Sequence, residues 1–301
     1  MKSIVVTGAG AGIGRCVAER LAAQGHHVLA CARQPADLES LGRIAGIEPV
    51  ALDVGKAEQV QQLTERLNTV HGLVNNAGIG GLGWLHTFSD EEFLQILDTN
   101  VMGPQRLSRA LLPQLLASRG RIVHISSMGG SITSRWYGPY TASKHALEAF
   151  AQCQRLELAP HGVEVSIVQP GGVATGIGAR GAAGMRARLQ RAQPPFWAEA
   201  QAVLAGMDAP AQGYDESQPE SASNRRLSPP EAVAEAVEHA LFASVPRARY
   251  LVGSRWEGQR VIDNLITRLL DANEGPSMGY TRDELLALVD AALVQRAAGR
   301  S

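Results

Sequence analysis

Short runs of apolar, largely β-branched residues recur along the first 170 residues, each followed by a stretch long enough for a helix. This alternation restricts the fold more than any other feature of the chain. SIVVTG (3–8), HVLACA (27–32), EPVALDV (48–54), GLVNNAG (72–78), GRIVHISS (120–127) and VEVSIVQPG (163–171) read as strands. Residues 12–24, 35–44 and 56–70 carry helical patterns, the first stopped by Gly25. Strands that are apolar throughout are buried on both faces, the state of a parallel sheet covered by helices. Right-handed crossovers place those helices on both sides, giving a doubly wound α/β fold.

After Thr175 the pattern breaks. Residues 176–227 contain QPPFWAEA and DAPAQGYDESQPESASNRR, rich in Pro, Ser, Ala and charge. An irregular insertion of that length inside a compact fold reads as a substrate lid or a mobile loop. Regularity returns with a helix at 229–243 and a strand at ARYLVG (248–253), which brings the sheet to about seven strands. Amphipathic stretches at 256–272 and 281–297 close the chain. The expected organisation is one domain over 1–255, with residues 256–301 as its C-terminal helical extension.

The 301 residues carry a net charge of −1, so no basic surface points to a nucleic acid or an anionic membrane. Cys16, Cys31 and Cys153 form no CxxC pair and fit a reducing compartment. No His, Cys and carboxylate group has metal-ligand spacing, so no metal is expected. Met1-Lys2 runs directly into Ile4-Val5-Val6 without a signal-peptide pattern, and no stretch reaches the ~20 apolar residues of a membrane span. A cytoplasmic protein is the expectation.

TGAGAGIG (7–14) joins the first strand to the first helix. Glycines there allow a tight turn and let backbone N–H groups approach a pyrophosphate at a helix N-terminus. The GxGxxG spacing fails, since its third glycine falls on Ile13 or Arg15; TGxxxGxG fits, with Gly8, Gly12 and Gly14. Together with NNAG (75–78), Asn100 in LDTNVMG, ISS (125–127), Tyr140 and Lys144 in YxxxK, and PGGVAT (170–175), the chain resembles the short-chain dehydrogenase/reductase family. The likeness is continuous over residues 3–175 and locally closest to the hydroxysteroid and retinol dehydrogenase branch, through ACARQPADL and PRARYLVG.

The resemblance implies a Rossmann fold binding a nicotinamide dinucleotide through Gly8, Gly12, Ile13, Gly14, Asp53, Val54, Asn75, Ala77, Gly78, Tyr140, Lys144, Pro170, Gly171, Val173 and Thr175. Asp53 would meet the adenine; its alternative role is to cap the following helix. Asn75 could also tie strands together. Ala32 stands where NAD-binding members carry an acid, and Arg33 follows it, while the nearest acid, Asp37, lies inside the next helix. A guanidinium there suits a 2′-phosphate, so NADP(H) is expected over NAD(H).

A hydride added to a ketone leaves an oxygen that must be protonated, and a tyrosine with pKa near ~10 needs help to exchange that proton. Lys144 lies one turn beyond Tyr140 on the same helical face. In the family scheme Tyr140 is the acid/base, Lys144 lowers its pKa and binds ribose, Ser127 polarises the substrate oxygen, and Asn100 holds a relay water. Ser126 and Ser127 point to opposite faces, so one serves; the family's spacing to its tyrosine selects Ser127. His124 reads as a sheet residue and His145 as lying off the catalytic face, whereas Trp84 and His86 are candidates for substrate contact.

The apolar side of the insertion, from Met185 and Leu189 through Pro194, Pro195, Phe196 and Trp197 to Val203, Leu204 and Met207, suits a hydrophobic carbonyl or alcohol, or packs the lid itself. The expected function is an NADP(H)-dependent oxidoreductase acting on a steroid-, retinoid- or other lipid-like substrate. A 3-oxoacyl (acyl carrier protein) reductase is the alternative within that class, and a non-catalytic dinucleotide-binding redox sensor the alternative outside it. The family's habit of pairing through helices, here 101–117 and 139–159, implies a homodimer or homotetramer.

Overall fold

The computed structural model describes residues 1–207, 213–275 and 279–298. Two compact units are present, Met1–Gly258 and Gln259–Ser301. The first holds a parallel sheet of seven strands, β1 (Ser3–Thr7), β2 (His27–Ala32), β3 (Ile47–Ala51), β4 (Gly72–Asn75), β5 (Arg121–Ile125), β6 (Glu164–Pro170) and β7 (Arg249–Val252). Their order, 3-2-1-4-5-6-7, reverses direction between β1 and β4. That switch point opens a crevice at the carboxyl ends of the strands.

The sheet is apolar on both faces, as the uninterrupted runs require. Ile4 and Val6 of β1 face one core with Val28, Ala30, Val74 and Val168, covered by α1 (Gly12–Ala23) and α10 (Pro230–Phe242). Val5, between them, faces the other core with Leu29, Leu73, Ile122 and Val165. That side is covered by α3 (Ala57–Glu65), α5 (Gly103–Ala110), α6 (Leu112–Ser118) and α7 (Gly138–Leu158). The period-2 alternation of a strand therefore feeds two cores at once.

Two expectations change in detail. The stretch 101–117 is not one helix: a five-residue π turn (98–102) follows α4 (Asp90–Leu97), and α5 then gives way to α6. Pro113, in the first turn of α6, lacks the N–H that would have continued α5. The insertion is also not irregular throughout, because α8 (Ile177–Gln190) and α9 (Trp197–Gly206) lie within it. Met185, Arg188 and Leu189 share one helical face, an i, i+3, i+4 pattern that the flanking Gly and Pro residues obscure. Residues 208–212 of the insertion lie outside the described residues.

α2 (Pro35–Gly42) completes the β2–β3 crossover. α11 (Arg255–Asn273) begins in the first unit and continues into the second, which ends with α12 (Arg282–Ala298). At the start of α12, Thr281 N–H donates to Glu284 Oε2 at 2.7 Å and Glu284 N–H to Thr281 Oγ1 at 3.4 Å, a reciprocal cap.

Candidate active site

The crevice contains a cavity of about 430 Å³ lined by the β1–α1 loop, the ends of β2 and β3, and the segment after β4. Gly8 and Gly12 adopt φ of 63° and 57°, the left-handed region that side chains resist. A Cβ on Gly8 would lie 2.9 Å from Ala77 Cα, so the loop passes as close to the β4 end as backbone allows. Thr7 Oγ1 accepts from the N–H groups of both Asn76 and Ala77 at 2.9 Å, and Asn76 Nδ2 donates back to Thr7 O at 2.9 Å and Gly8 O at 3.2 Å. Ala11, the N-cap of α1, provides no side-chain acceptor, and the first turn holds no acid. The free N–H groups there fit a dinucleotide pyrophosphate.

Gly12, Ile13, Arg33, Asp53, Val54, Ala77, Gly78 and Thr175 line this cavity. Arg33 Nη1 stands 3.9 Å from Asp53 Oδ2 with its side chain 57% exposed, placed to meet an anion arriving in the pocket. Asp53 does not cap α3, whose N-cap is Lys56. Its Oδ1 instead accepts from Gly55 N–H at 2.9 Å and fixes the turn. Asp37 lies in α2, as its sequence position implies, yet its carboxylate sits 2.3 Å from where a Cβ of Gly10 would be, inside the same pocket. The first turn of α2 carries it there, a placement that depends on how α2 packs over the loop.

Several expected residues stand outside the cavity lining. Asn75, the last residue of β4, is buried, its Nδ2 3.4 Å from Ser108 Oγ and 3.3 Å from His124 Nδ1; it ties β4 to its neighbours, and its side chain does not line the cavity. Gly14 packs α1 onto the loop, since a Cβ there would lie 2.4 Å from Gly8 O. Pro170, Gly171 and Val173 stand apart as well. Gly171 N–H donates to Val252 O at 2.8 Å, Gly172 N–H to buried Glu257 at 2.7 Å, and Val173 bridges Ser228. Glu257 also binds Arg225, so an acid from the start of α11 anchors the loop leading to Thr175.

The catalytic candidates converge where the cavity wall reaches Gly78. A Cβ on Gly78 would lie 3.3 Å from Asn100 Oδ1 and 3.7 Å from Lys144 Nζ. Pro139 stands in the first turn of α7, where its missing N–H costs nothing, and the helix then presents Tyr140 and Lys144 one turn apart. Lys144 Nζ lies 5.8 Å from the Tyr140 ring centroid and donates to Ile125 O at 2.9 Å. Burial pushes the Tyr140 phenol above its ordinary value, opposed by its hydrogen bond with Ser127. Burial likewise brings Lys144 down to about 8. Ser127 Oγ accepts from Gly129 N–H at 3.0 Å, while buried Ser126 Oγ has no partner among the described residues.

Asn100 lies in the π turn, a distortion that often marks functional positions. Its Oδ1 accepts from Ile79 N–H at 2.8 Å and its Nδ2 donates to Ile79 O and Ser143 Oγ, both at 2.9 Å. His124 is fully buried between Asn75 and Gln154, and burial lowers it to about 4, the environment of a neutral sheet residue. His145 Nδ1 turns back to Thr141 O at 2.9 Å, away from the catalytic pair. Among the described residues no group of three His, Cys, Asp or Glu could hold a metal, and no helix is long and apolar enough to cross a membrane.

An aromatic cluster joins the segment after β4, the segment before α7 and the insertion. Trp84 packs edge-on against Trp136 at 5.5 Å and tilted against Phe196 at 5.8 Å, and His86 lies 4.5 Å from Phe196. Met185, Leu189, Val203, Leu204 and Met207 complete it, whereas Trp197 remains 55% exposed. Trp136 holds φ of 71° and its carbonyl accepts from Gly83 N–H at 2.9 Å. α8 is fastened down by Arg188, which donates to Leu82 O at 2.7 Å and pairs with Glu92 at 3.0 Å; Arg191 pairs with the same carboxylate at 2.6 Å. Glu92 already closes the capping box of α4 with Ser89, a sequence signal that could have flagged it. Trp136 and Arg188 carried no such signal.

Residues 2–184 match the short chain dehydrogenase family. Mitochondrial D-beta-hydroxybutyrate dehydrogenase from Bos taurus is 31% identical over 265 residues, covering 83% of this chain and 76% of its own length. Retinol dehydrogenase 5 from Mus musculus is 38% identical over 177 residues, 56% of this chain and 55% of its own. The chain thus matches little more than half of that relative. A solved short chain dehydrogenase/reductase from Burkholderia phymatum, in complex with NAD, superposes with TM-score 0.71 at 25% identity, covering 92% of this chain and 96% of its own. An actinorhodin polyketide ketoreductase with NADPH gives 0.66 at 30% identity, covering 83% and 94%.

Proposed function

The chain belongs to the short-chain dehydrogenase family, and from that premise we propose that it interconverts a hydrophobic, lipid-like secondary alcohol and its ketone using NADP(H) in preference to NAD(H). The observation that carries the reading is the grouping of Ser127, Tyr140 and Lys144, with Lys144 beside Gly78 of the cavity lining. When bound there, the nicotinamide supplies or accepts the hydride.

The chain's own residues do the rest. The β1–α1 loop and the α1 N-terminus hold the pyrophosphate, and Arg33 meets the 2′-phosphate that distinguishes NADP. Ser127 donates to the substrate oxygen and steadies the charge that grows there. Tyr140 gives its proton to that oxygen during reduction and takes one from the alcohol during oxidation. The Lys144 ammonium favours the phenolate, and Asn100 holds the water that returns the proton from solvent. The Trp84–Trp136–Phe196 roof excludes water and favours an apolar substrate body. The likeness to retinol dehydrogenase 5 supports that substrate class, while the likeness to a polyketide ketoreductase keeps acyl thioesters in the test. The chain is further proposed to work as a homodimer or homotetramer, which light scattering would test through its mass.

The test follows absorbance at the nicotinamide band with NADPH and NADH against steroid, retinoid, aliphatic and acyl-thioester carbonyls. Turnover of an apolar ketone with NADPH, abolished by Tyr140→Phe without loss of dinucleotide binding, supports the proposal. Dinucleotide binding with no turnover of any carbonyl would instead favour a redox sensor.

A further inference from the structure

We propose that Glu148 is a positioning residue for Lys144: its buried carboxylate, one turn farther along α7, keeps the lysine in its ammonium form and ties the helix to the Ser127 turn and the end of β6. What the lysine is used for rests on the reading above; its electrostatic partner does not.

Glu148 is 8% exposed and fully engaged. Its Oε1 accepts from Gln169 Nε2 at 2.9 Å, and the same amide donates to Ser131 Oγ at 2.8 Å. Its Oε2 accepts from Arg249 Nη2 at 2.7 Å. Ser131 ends the short turn that Ser127 opens, and Gln169 immediately precedes the Pro170–Gly171 loop. One carboxylate thereby joins α7, the Ser127 turn, β6 and β7. The site is built to receive it, for a Cβ on Gly130 would stand 2.8 Å from Glu148 Cγ.

Lys144 is 5% exposed, and the hydrogen bond recorded for its ammonium runs to the neutral Ile125 carbonyl. An ammonium so buried sheds its proton readily unless a negative charge stands near. On α7 its ionisable neighbours are Tyr140, His145 and Glu148. β5 presents His124, held neutral by burial. The π turn presents Asp98, paired with Arg106, and α4 presents Glu92, bound by Arg188 and Arg191. β6 faces the knot with uncharged Gln169, and β7 brings Arg249. The charge of Glu148 is the one that opposes the desolvation of Lys144, and Arg249 partly offsets that charge.

This arrangement gives two variants opposite electrostatic signs. Glu148→Gln keeps the shape, removes the anion and leaves Arg249 uncompensated. Arg249→Met removes the cation and leaves the anion whole. Both break the same ion pair, so a purely structural role would move Lys144 alike in both. The chain contains three lysines, Lys2, Lys56 and Lys144, so NMR of ¹³C-lysine-labelled full-length protein resolves the Lys144 titration, with Lys144→Met assigning its signal.

Glu148→Gln should lower the Lys144 midpoint by about one pH unit, a tenfold change in proton affinity, and Arg249→Met should raise it by about half a unit. Shifts in the same direction, or none, would overturn the proposal. Should Glu148→Gln not fold, the half-exposed Arg249→Met decides alone, and a downward or absent shift overturns the proposal. Because the titration needs no substrate, absent carbonyl turnover would count against the proposed function and not against this pairing.

Discussion

Replacing each of the two adjacent serines by alanine separates chemistry from scaffold. Ser127 hydrogen-bonds Tyr140 and accepts from Gly129 N–H at 3.0 Å, so Ser127→Ala removes the donor proposed for the substrate oxygen and frees one backbone N–H. Loss of such a donor costs about 3 kcal/mol of transition-state stabilisation, a fall in kcat of roughly 100- to 1,000-fold. The lost turn bond adds about 1 kcal/mol of destabilisation. Ser126 is 4% exposed and its hydroxyl has no partner among the described residues. Removing an unsatisfied buried hydroxyl forfeits no hydrogen bond, so Ser126→Ala should leave kcat within about twofold and stability level or up to ~1 kcal/mol higher. Ketone reduction with NADPH reads the first quantity and thermal melting the second. Equal losses of kcat in the two variants would refute the assignment.

Arg33→Ala should weaken NADP binding about tenfold and leave NAD within about twofold, a modest effect because the guanidinium is more than half exposed; equal losses for both dinucleotides by fluorescence titration would remove Arg33 from the discrimination. Arg188→Met deletes the bond to Leu82 and half of the Glu92 clamp while Arg191 still holds Glu92. It should raise KM for apolar ketones by about tenfold through a loosened roof, with kcat changed less, and steady-state kinetics showing only a kcat loss would contradict that. Lys144, brought down to about 8 by burial, binds fewer protons in the folded than in the unfolded chain between about pH 8 and its ordinary value of 10.5. Stability without dinucleotide should therefore rise across that window, with the burial penalty fully present below about pH 8. Lys144→Met should accordingly melt higher than wild type at pH 7 and converge with it above about pH 10.5; a gap that does not depend on pH would refute the cause.

The series of strands, the glycine loop and the Tyr140–Lys144 spacing were legible from the chain alone because each rests on local rules. Apolar runs of strand length specify a sheet covered on both faces, residues four apart share a helical face, and a glycine turn before a helix leaves N–H groups free. Tertiary packing decided what those rules do not reach. It turned Asn75 into a tie within the sheet and set Asp37 over the loop, because neighbouring elements determine which way each side chain faces. It made helices of an insertion whose Pro and Gly content reads as loop, since α8 and α9 gain stability by burying Leu189 and Ala200 against Trp84. Glu148 is the clearest case. In sequence it is one acid in a helix, and only the meeting of α7, β6, β7 and the Ser127 turn makes it the buried charge behind the lysine. Local spacing specifies which groups react, while their electrostatic surroundings come from segments distant in the chain.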